Sequence, residues 1–303
     1  MADLHVHIAG VEFKNPVIAA SGCFGFGKEY ESFYPLERLG GISLKALSWE
    51  PREGNPPPRI AETASGILNS VGLQNPGVRK FAEKHLPELL TKNTVLIANV
   101  VGTKVEDYVR AAEFVSALAV DMIELNASCP NVEEGGATFG ICPQSMAALV
   151  KAVRKVCQKP LIVKLTPNVT DIAEMAHIAE AEGADAISLI NTLLGMRIDV
   201  NTERPILKNN TGGLSGPAIF PVALRMVWQV ANAVRVPVIG VGGIEKWQDT
   251  AEMILAGAAA VQVGTAMFTS PMAPLEIIDG LDKWLDSKKY ASVSDAVGKV
   301  EPW

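Results

Sequence analysis

Six residues, Asn126-Ala127-Ser128-Cys129-Pro130-Asn131, follow directly on the apolar run Met122-Ile123-Glu124-Leu125. A β-like stretch that stops at an amide, a hydroxyl and a thiol concentrates reactive side chains at one strand end. The carboxyl ends of parallel strands are where α/β proteins place their chemistry. Proline after the thiol restrains the backbone of Cys129 and keeps a helix from starting there. A lone cysteine in a polar loop is more often inert, but here most other strands end in the same manner. In chain order the ends carry Ser21, Lys45, Asn99, Asn126, Lys164, Asn191, Gly242-Gly243 and Gly264-Thr265. One strand-end lysine can snorkel to solvent. Two lysines and three asparagines on one rim instead make a donor-rich site suited to a planar polar heterocycle.

The last two strand ends add a phosphate grip. Val241-Gly242-Gly243-Ile244 and Val263-Gly264-Thr265-Ala266 free backbone N–H groups for an anion, as the loops after strands 7 and 8 of a barrel often do. Gly212-Gly213-Leu214-Ser215-Gly216 is a third candidate. By contrast, Gly22-Cys23-Phe24-Gly25-Phe26-Gly27-Lys28-Glu29 is one residue away from a P-loop and is rejected as one. Glu29 stands where a hydroxyl should meet magnesium, and its carboxylate would repel phosphates. No G-x-G-x-x-G lies in a strand-turn-helix setting, so an NAD site of Rossmann type is not supported. His5 and His7 read as one face of a hairpin strand and not as a metal pair.

The elements that must position these residues alternate along the whole chain. Continuously apolar runs, as in strands covered on both faces, lie at 17–20, 42–45, 95–100, 122–125, 161–165, 186–190, 236–240 and 260–263. Helical patterns fall near 28–38, 77–90, 105–119, 143–157, 170–182, 217–234, 246–256 and 271–288. Thr103-x-x-Glu106 has the form of a capping box, and Pro143 suits a first helical turn. Eight strands, each followed by a helix, predict an α/β fold: a (β/α)8 TIM barrel in one domain, 1–303, with a short β-hairpin within 1–13 closing its bottom. Two long connections, 46–75 and 192–216, read as lids or interaction surfaces, with Gly54, Gly66 and Gly72 as flexible points and Asn69 and Asn75 as ligand contacts.

The 303 residues are 48% apolar and 20% charged, enough for a substantial core. A net charge of −6 disfavours nucleic acid. No apolar run approaches the ~20 residues of a membrane span, and Met1-Ala2-Asp3-Leu4-His5 lacks the features of a signal peptide. Four cysteines without a CxxC pair give neither a zinc ribbon nor an iron–sulfur cluster, and a reduced cytoplasmic protein is expected.

Over nearly its whole length the chain resembles the catalytic subunits of class 1B dihydroorotate dehydrogenases. The marks are Asn15-Pro16, Ser21-Gly22-Cys23-Phe24-Gly25, Arg52-Glu53-Gly54-Asn55-Pro56 and Asn69-Ser70-Val71-Gly72-Leu73-Gln74-Asn75. They continue with the Ser-Cys-Pro-Asn motif, Lys164-Leu165-Thr166-Pro167-Asn168, Asn191-Thr192 and the glycine strand ends. The resemblance implies FMN held by Ser21, Lys45, Ala46, Asn99, Asn126, Lys164, Ile190, Gly216, Gly242, Gly243, Gly264 and Thr265. It implies dihydroorotate or orotate bound by Lys45, Asn69, Ser70, Val71, Gly72, Leu73, Asn126, Asn191 and Thr192, with Cys129 as the catalytic base. It also implies a homodimer core within a heterotetramer, whose electron-transfer subunits carry FAD and a [2Fe–2S] cluster and pass electrons to NAD+.

Elementary chemistry agrees with these roles. Making a C=C bond beside a carbonyl needs a proton removed from one carbon and a hydride from its neighbour. A flavin accepts the hydride, and a fixed cation such as Lys164 favours its reduced, anionic form. The tRNA dihydrouridine synthases, also flavin barrels with a catalytic cysteine, fit less well because this chain is acidic and has no basic extension. A silent scaffold would have no use for Cys129, both lysines and the asparagines together.

Overall fold

Eight of the apolar runs become the strands of a closed parallel barrel in the computed structural model, which describes residues 2–127 and 136–303. They are β1 (Val17–Ala19), β2 (Gly41–Ser43), β3 (Val95–Val100), β4 (Met122–Asn126), β5 (Leu161–Leu165), β6 (Ala186–Leu189), β7 (Val238–Val241) and β8 (Ala260–Val263). Each pairs with its neighbours in sequence order, and β8 closes on β1 through Val261 opposite Val17, so the barrel has no free edge. Ile123 and Leu125 of β4 point outward into the core shared with the helices, while Met122 points into the barrel.

That alternation stacks the interior in layers. The bottom layer is apolar: Ile18, Ile97, Met122, Ile162, Ala186, Ile239 and Ala260 pack with Val6, Ile8 and Phe13 of the N-terminal hairpin. The hairpin pairs Val6–Ile8 with Val11–Phe13 and closes the bottom as expected. One residue pair higher, the inward positions turn polar: Ser43, Asn99, Glu124, Lys164, Ser188 and Gln262, all buried.

Several local expectations are corrected. The 28–38 pattern is no α-helix but two 3₁₀ turns, Lys28–Tyr30 and Leu36–Arg38. Pro35 between them is extended, lacks an N–H and pushes the preceding residue out of helical geometry. Stacking of Phe24 on Tyr30, with centroids 4.4 Å apart, pins the segment instead. Pro87 likewise divides 77–90 into Gly77–Lys84 and Leu86–Leu89. The capping box at Thr103 does not form: Lys104 is the N-cap, and the Thr103 hydroxyl donates to the Asp107 carboxylate at 2.8 Å. Pro143 does open its helix, Pro143–Arg154.

The two long connections hold the largest surprise. They carry strands of their own, and these pair with each other. Ile60–Thr63 and Gly66–Asn69 from the first join Gly212–Ser215 and Leu193–Gly195 from the second in one four-stranded antiparallel sheet beside the barrel mouth. Gly66 is needed there for close approach, because a Cβ would lie 2.1 Å from the Ser215 carbonyl oxygen.

Candidate active site

The carboxyl ends of the barrel strands and the four-stranded sheet enclose a cavity of about 220 Å³. From the barrel come Ser21, Lys45, Ala46, Asn126, Lys164, Ile190, Asn191, Thr192, Gly242, Gly243, Gly264 and Thr265. From the connections come Asn69, Val71, Gly72, Leu73 and Gly216. The cavity therefore brings together the site residues that the strand ends and the resemblance implied, apart from Asn99, Ser70 and Cys129. Asn99 sits one layer lower, fully buried in the polar stratum. Ser70 is also buried. Its N–H donates to the Arg59 carbonyl and its own carbonyl accepts from Asn55, while its buried hydroxyl has no partner among the described residues. Cys129 lies outside the described residues. It follows three residues after Asn126, whose carbonyl is held by the Tyr108 hydroxyl at 2.9 Å.

The walls divide by chemistry. Ala20, Ile67, Val71, Ile190, Ile219, Val241 and Ile244 contribute apolar surface, while Ser21, Lys45, Asn69, Asn126, Lys164, Asn191 and Thr192 contribute hydroxyl, amide and ammonium groups. Apolar walls with a few convergent polar groups are the usual make-up of a pocket for a flat cofactor. β7 and β8 end at Val241 and Val263, so Gly242, Gly243, Gly264 and Thr265 are the first residues beyond the ladder. Gly243 has φ +73°, and a Cβ on it would lie 2.7 Å from the Phe220 backbone nitrogen. No other residue lets this turn pack against the helix Phe220–Ala231. Cys23 also lines the cavity, but burial pushes its thiol up to about 11, against the opposing pull of Lys164 and Lys45. It stays protonated near neutrality and is no base.

The family model for dihydroorotate dehydrogenase matches residues 3–285. The chain belongs to the dihydroorotate dehydrogenase family. A Bacteroides fragilis protein named dihydroorotate dehydrogenase B (NAD(+)), catalytic subunit, is 53% identical over 302 residues, covering 99% of this chain and 100% of the relative. A protein of the same name from Alkaliphilus oremlandii is 53% identical over 298 residues, covering 98% and 99%. Among solved structures, DHODH from Eimeria tenella in complex with ferulenol matches with a TM-score of 0.79 at 25% identity, covering 98% of this chain and 88% of that one.

Within this dihydroorotate dehydrogenase barrel, the feature that sequence reasoning missed is Glu124. Its carboxylate is fully buried beneath the cavity. It accepts hydrogen bonds from Ser43 Oγ (2.8 Å), Asn99 Nδ2 (2.6 Å), Ser188 Oγ (2.8 Å) and Gln262 Nε2 (2.7 Å). Lys164 Nζ stands 3.9 Å from Oε2. Burial alone would push this carboxyl up. The Lys164 ammonium and the hydrogen bonds from Gln262, Ser188 and Ser43 outweigh it and hold the group below its ordinary value. The signal was present in the sequence as single polar residues inside apolar runs, but a run scored as continuous hides them.

Asn75, expected to touch ligand, is a staple instead. Its Oδ1 accepts from the Ser48 and Gly77 N–H groups at 3.2 and 2.8 Å, and its Nδ2 donates to the Leu73 carbonyl at 2.8 Å. The arms of the 46–75 connection are further tied by reciprocal Arg52–Asn75 backbone bonds and by Asn55 N–H to Val71. Gly54 and Gly72 are points of close packing, not hinges: Cβ atoms there would come within 2.4 Å of Val71 and 2.6 Å of Asn55. Replacing Asn75 with alanine orphans buried N–H groups at about 1–3 kcal/mol each. The variant is expected to be destabilised by at least that much in urea unfolding and to be cleaved faster by protease within 46–75. A variant as stable as the parent would show that the staple carries no weight.

Proposed function

We propose that the chain is the FMN-bearing catalytic subunit of an NAD+-linked dihydroorotate dehydrogenase, oxidising (S)-dihydroorotate to orotate in pyrimidine biosynthesis. The observation that carries this reading is the convergence of Lys45, Lys164, Asn126 and Asn191 on one glycine-rimmed cavity in a chain of this family. The cavity's residues fit FMN: apolar walls for the ring system, amide and ammonium donors for its polar edge, and two glycine turns for one phosphate. Asn99 adds a buried Oδ1 with no partner next to that floor. Ser21, Lys45, Ala46, Asn126, Lys164, Ile190, Gly216, Gly242, Gly243, Gly264 and Thr265 would hold the cofactor, with Asn99 reaching it from below. Bound FMN supplies the hydride acceptor.

The chain's own groups do the rest. Asn69, Asn126, Asn191 and Thr192, with the backbone of 71–73, offer the amide and N–H donors that a carboxylate and ring amides need. The Thr192 N–H is itself braced by Asn191 Oδ1 at 2.9 Å, and Asn168 Nδ2 holds the Thr192 carbonyl at 3.1 Å. Cys129, as thiolate, takes the proton from the carbon next to the one that loses hydride. A free thiol is only a few per cent ionised at pH 7, so the rate should climb as pH rises toward ~8.5.

Electrons leave through a partner. The relatives' name specifies a catalytic subunit, and we assign the FAD and [2Fe–2S] cluster to an electron-transfer subunit flanking a dimer of this chain in the cytoplasm. No helix among the described residues is long and apolar enough to cross a membrane, which agrees with a soluble acceptor. The purified protein should be yellow, release FMN on denaturation, and bleach when titrated anaerobically with dihydroorotate. FAD in place of FMN, or flavin that dihydroorotate leaves oxidised, would overturn the reading.

A further inference from the structure

Glu124 is a charged group in the one place a barrel least tolerates it, yet its surroundings are complete. A carboxylate offers about four acceptor positions. Ser43, Asn99, Ser188 and Gln262, each from a different strand, fill them at 2.6–2.8 Å. Lys164 at 3.9 Å is too far for a hydrogen bond and acts on the carboxylate through charge alone. Among the described residues the Lys164 ammonium makes one hydrogen bond within the floor, 3.4 Å to Gln262 Oε1. Gln262 thereby touches both charges, donating to one and accepting from the other. The saturated carboxylate offsets the cation without consuming its donors, which stay available on the cavity side where Lys164 is a lining residue.

We propose that Glu124 is the positioning residue of the cavity floor. It fixes the Lys164 ammonium in place and offsets its charge, and so sets how strongly reduced flavin is favoured over oxidised flavin. The inference rests on the FMN reading. A floor with an uncompensated cation would favour the anionic reduced form more strongly; a floor with neither charge would favour it less.

The test is the relative affinity of the protein for reduced and oxidised FMN, read as the midpoint potential of bound flavin in an anaerobic titration against reference dyes. Glu124→Gln keeps the shape and removes the charge, and is expected to raise the reduced-to-oxidised affinity ratio at least tenfold, an upward shift of ~30 mV for a two-electron couple. Glu124→Asp keeps the charge and should return the ratio to within about threefold of the parent. A ratio that is unchanged or lower in Glu124→Gln overturns the proposal, since a packing role alone would lower flavin content and leave the ratio where it was. Should Glu124→Gln not fold, Lys164→Met is compared with the double variant Glu124→Gln, Lys164→Met, whose amide oxygen still accepts from the strand donors. The double variant, which lacks the Glu124 charge, is expected to show the higher ratio by at least tenfold, and equal ratios in the two overturn the proposal equally. A parent protein that binds no FMN would instead sink the cofactor reading, so the two failures are distinct.

Discussion

Alanine at position 129 is expected to slow the reduction of bound FMN by dihydroorotate roughly 10²–10⁴-fold, the usual worth of a general base. Flavin content should be little changed, because the cofactor contacts we assign lie on other residues. The effect is expected to be large because no other thiol among the described residues both lines the cavity and ionises readily: Cys142, held below the usual thiol range by hydrogen bonds from Ser145, is not a lining residue. Cys23, in the same cavity, is held protonated by burial, its thiol pushed up to about 11. Cys157 is buried in the outer core, its thiol raised by desolvation as well. Serine at 129 should be slower than cysteine near neutral pH, its hydroxyl being far harder to ionise. Stopped-flow reduction under anaerobic conditions reads both variants directly, and near-normal reduction by the alanine variant removes Cys129 from the mechanism.

The second large effect concerns stability. Lys164→Met leaves Glu124 as a fully buried carboxylate without its compensating charge. Breaking a buried pair in this way costs about 3–5 kcal/mol, whereas removing both charges costs far less where the neighbouring polar groups keep an acceptor. Urea unfolding of the apoprotein should therefore show a deep loss for Lys164→Met and recovery of part of it in the double variant with Glu124→Gln, whose amide oxygen still accepts from the strand donors. The pH dependence follows from the direction of the carboxyl's shift. A carboxyl held below its ordinary 4.5 contributes stability above that value and loses it as pH falls through the lower folded value. The gap between parent and Lys164→Met should accordingly narrow on acidification below about 4.5. A gap independent of pH, or no recovery in the double variant, would mean that the ion pair is not what Lys164 contributes.

What the sequence revealed and what it hid have separable physical causes. The barrel was legible because each strand is buried on both faces and mostly apolar, and β3, β5 and β8 fall at the expected 95–100, 161–165 and 260–263. The mouth was legible because chemistry at strand ends needs no knowledge of pairing. Where proline intervened, as at Pro35 and Pro87, a periodic pattern overstated helix. Local capping was misjudged where the side chain had a better partner: Thr103 turns to Asp107, whereas Asp171 caps its helix by accepting from the Ala173 and Glu174 N–H groups. Glu124 and Asn75 escaped because their roles are defined by groups on other strands and loops, and no spacing along the chain encodes those distances.

The sheet that joins the two connections has a consequence for the order of folding. Asn69 donates to the carbonyl of Gly213, 144 positions later, so the wall of the cavity is sealed by a contact that the growing chain cannot make until β3 to β6 have been synthesised. At ~5–20 residues per second, that is a wait of roughly 7–30 seconds on the ribosome. Until then a hairpin of Ile60–Thr63 and Gly66–Asn69 would have no neighbouring strand along Gly66–Asn69. Pro56, Pro57 and Pro58, just ahead of the hairpin, lack the N–H groups through which a passing chain would extend it. They thus blunt the edge that stays open in the finished sheet, at Ile60–Thr63, while the Gly66–Asn69 edge waits for Gly212–Ser215 to be made.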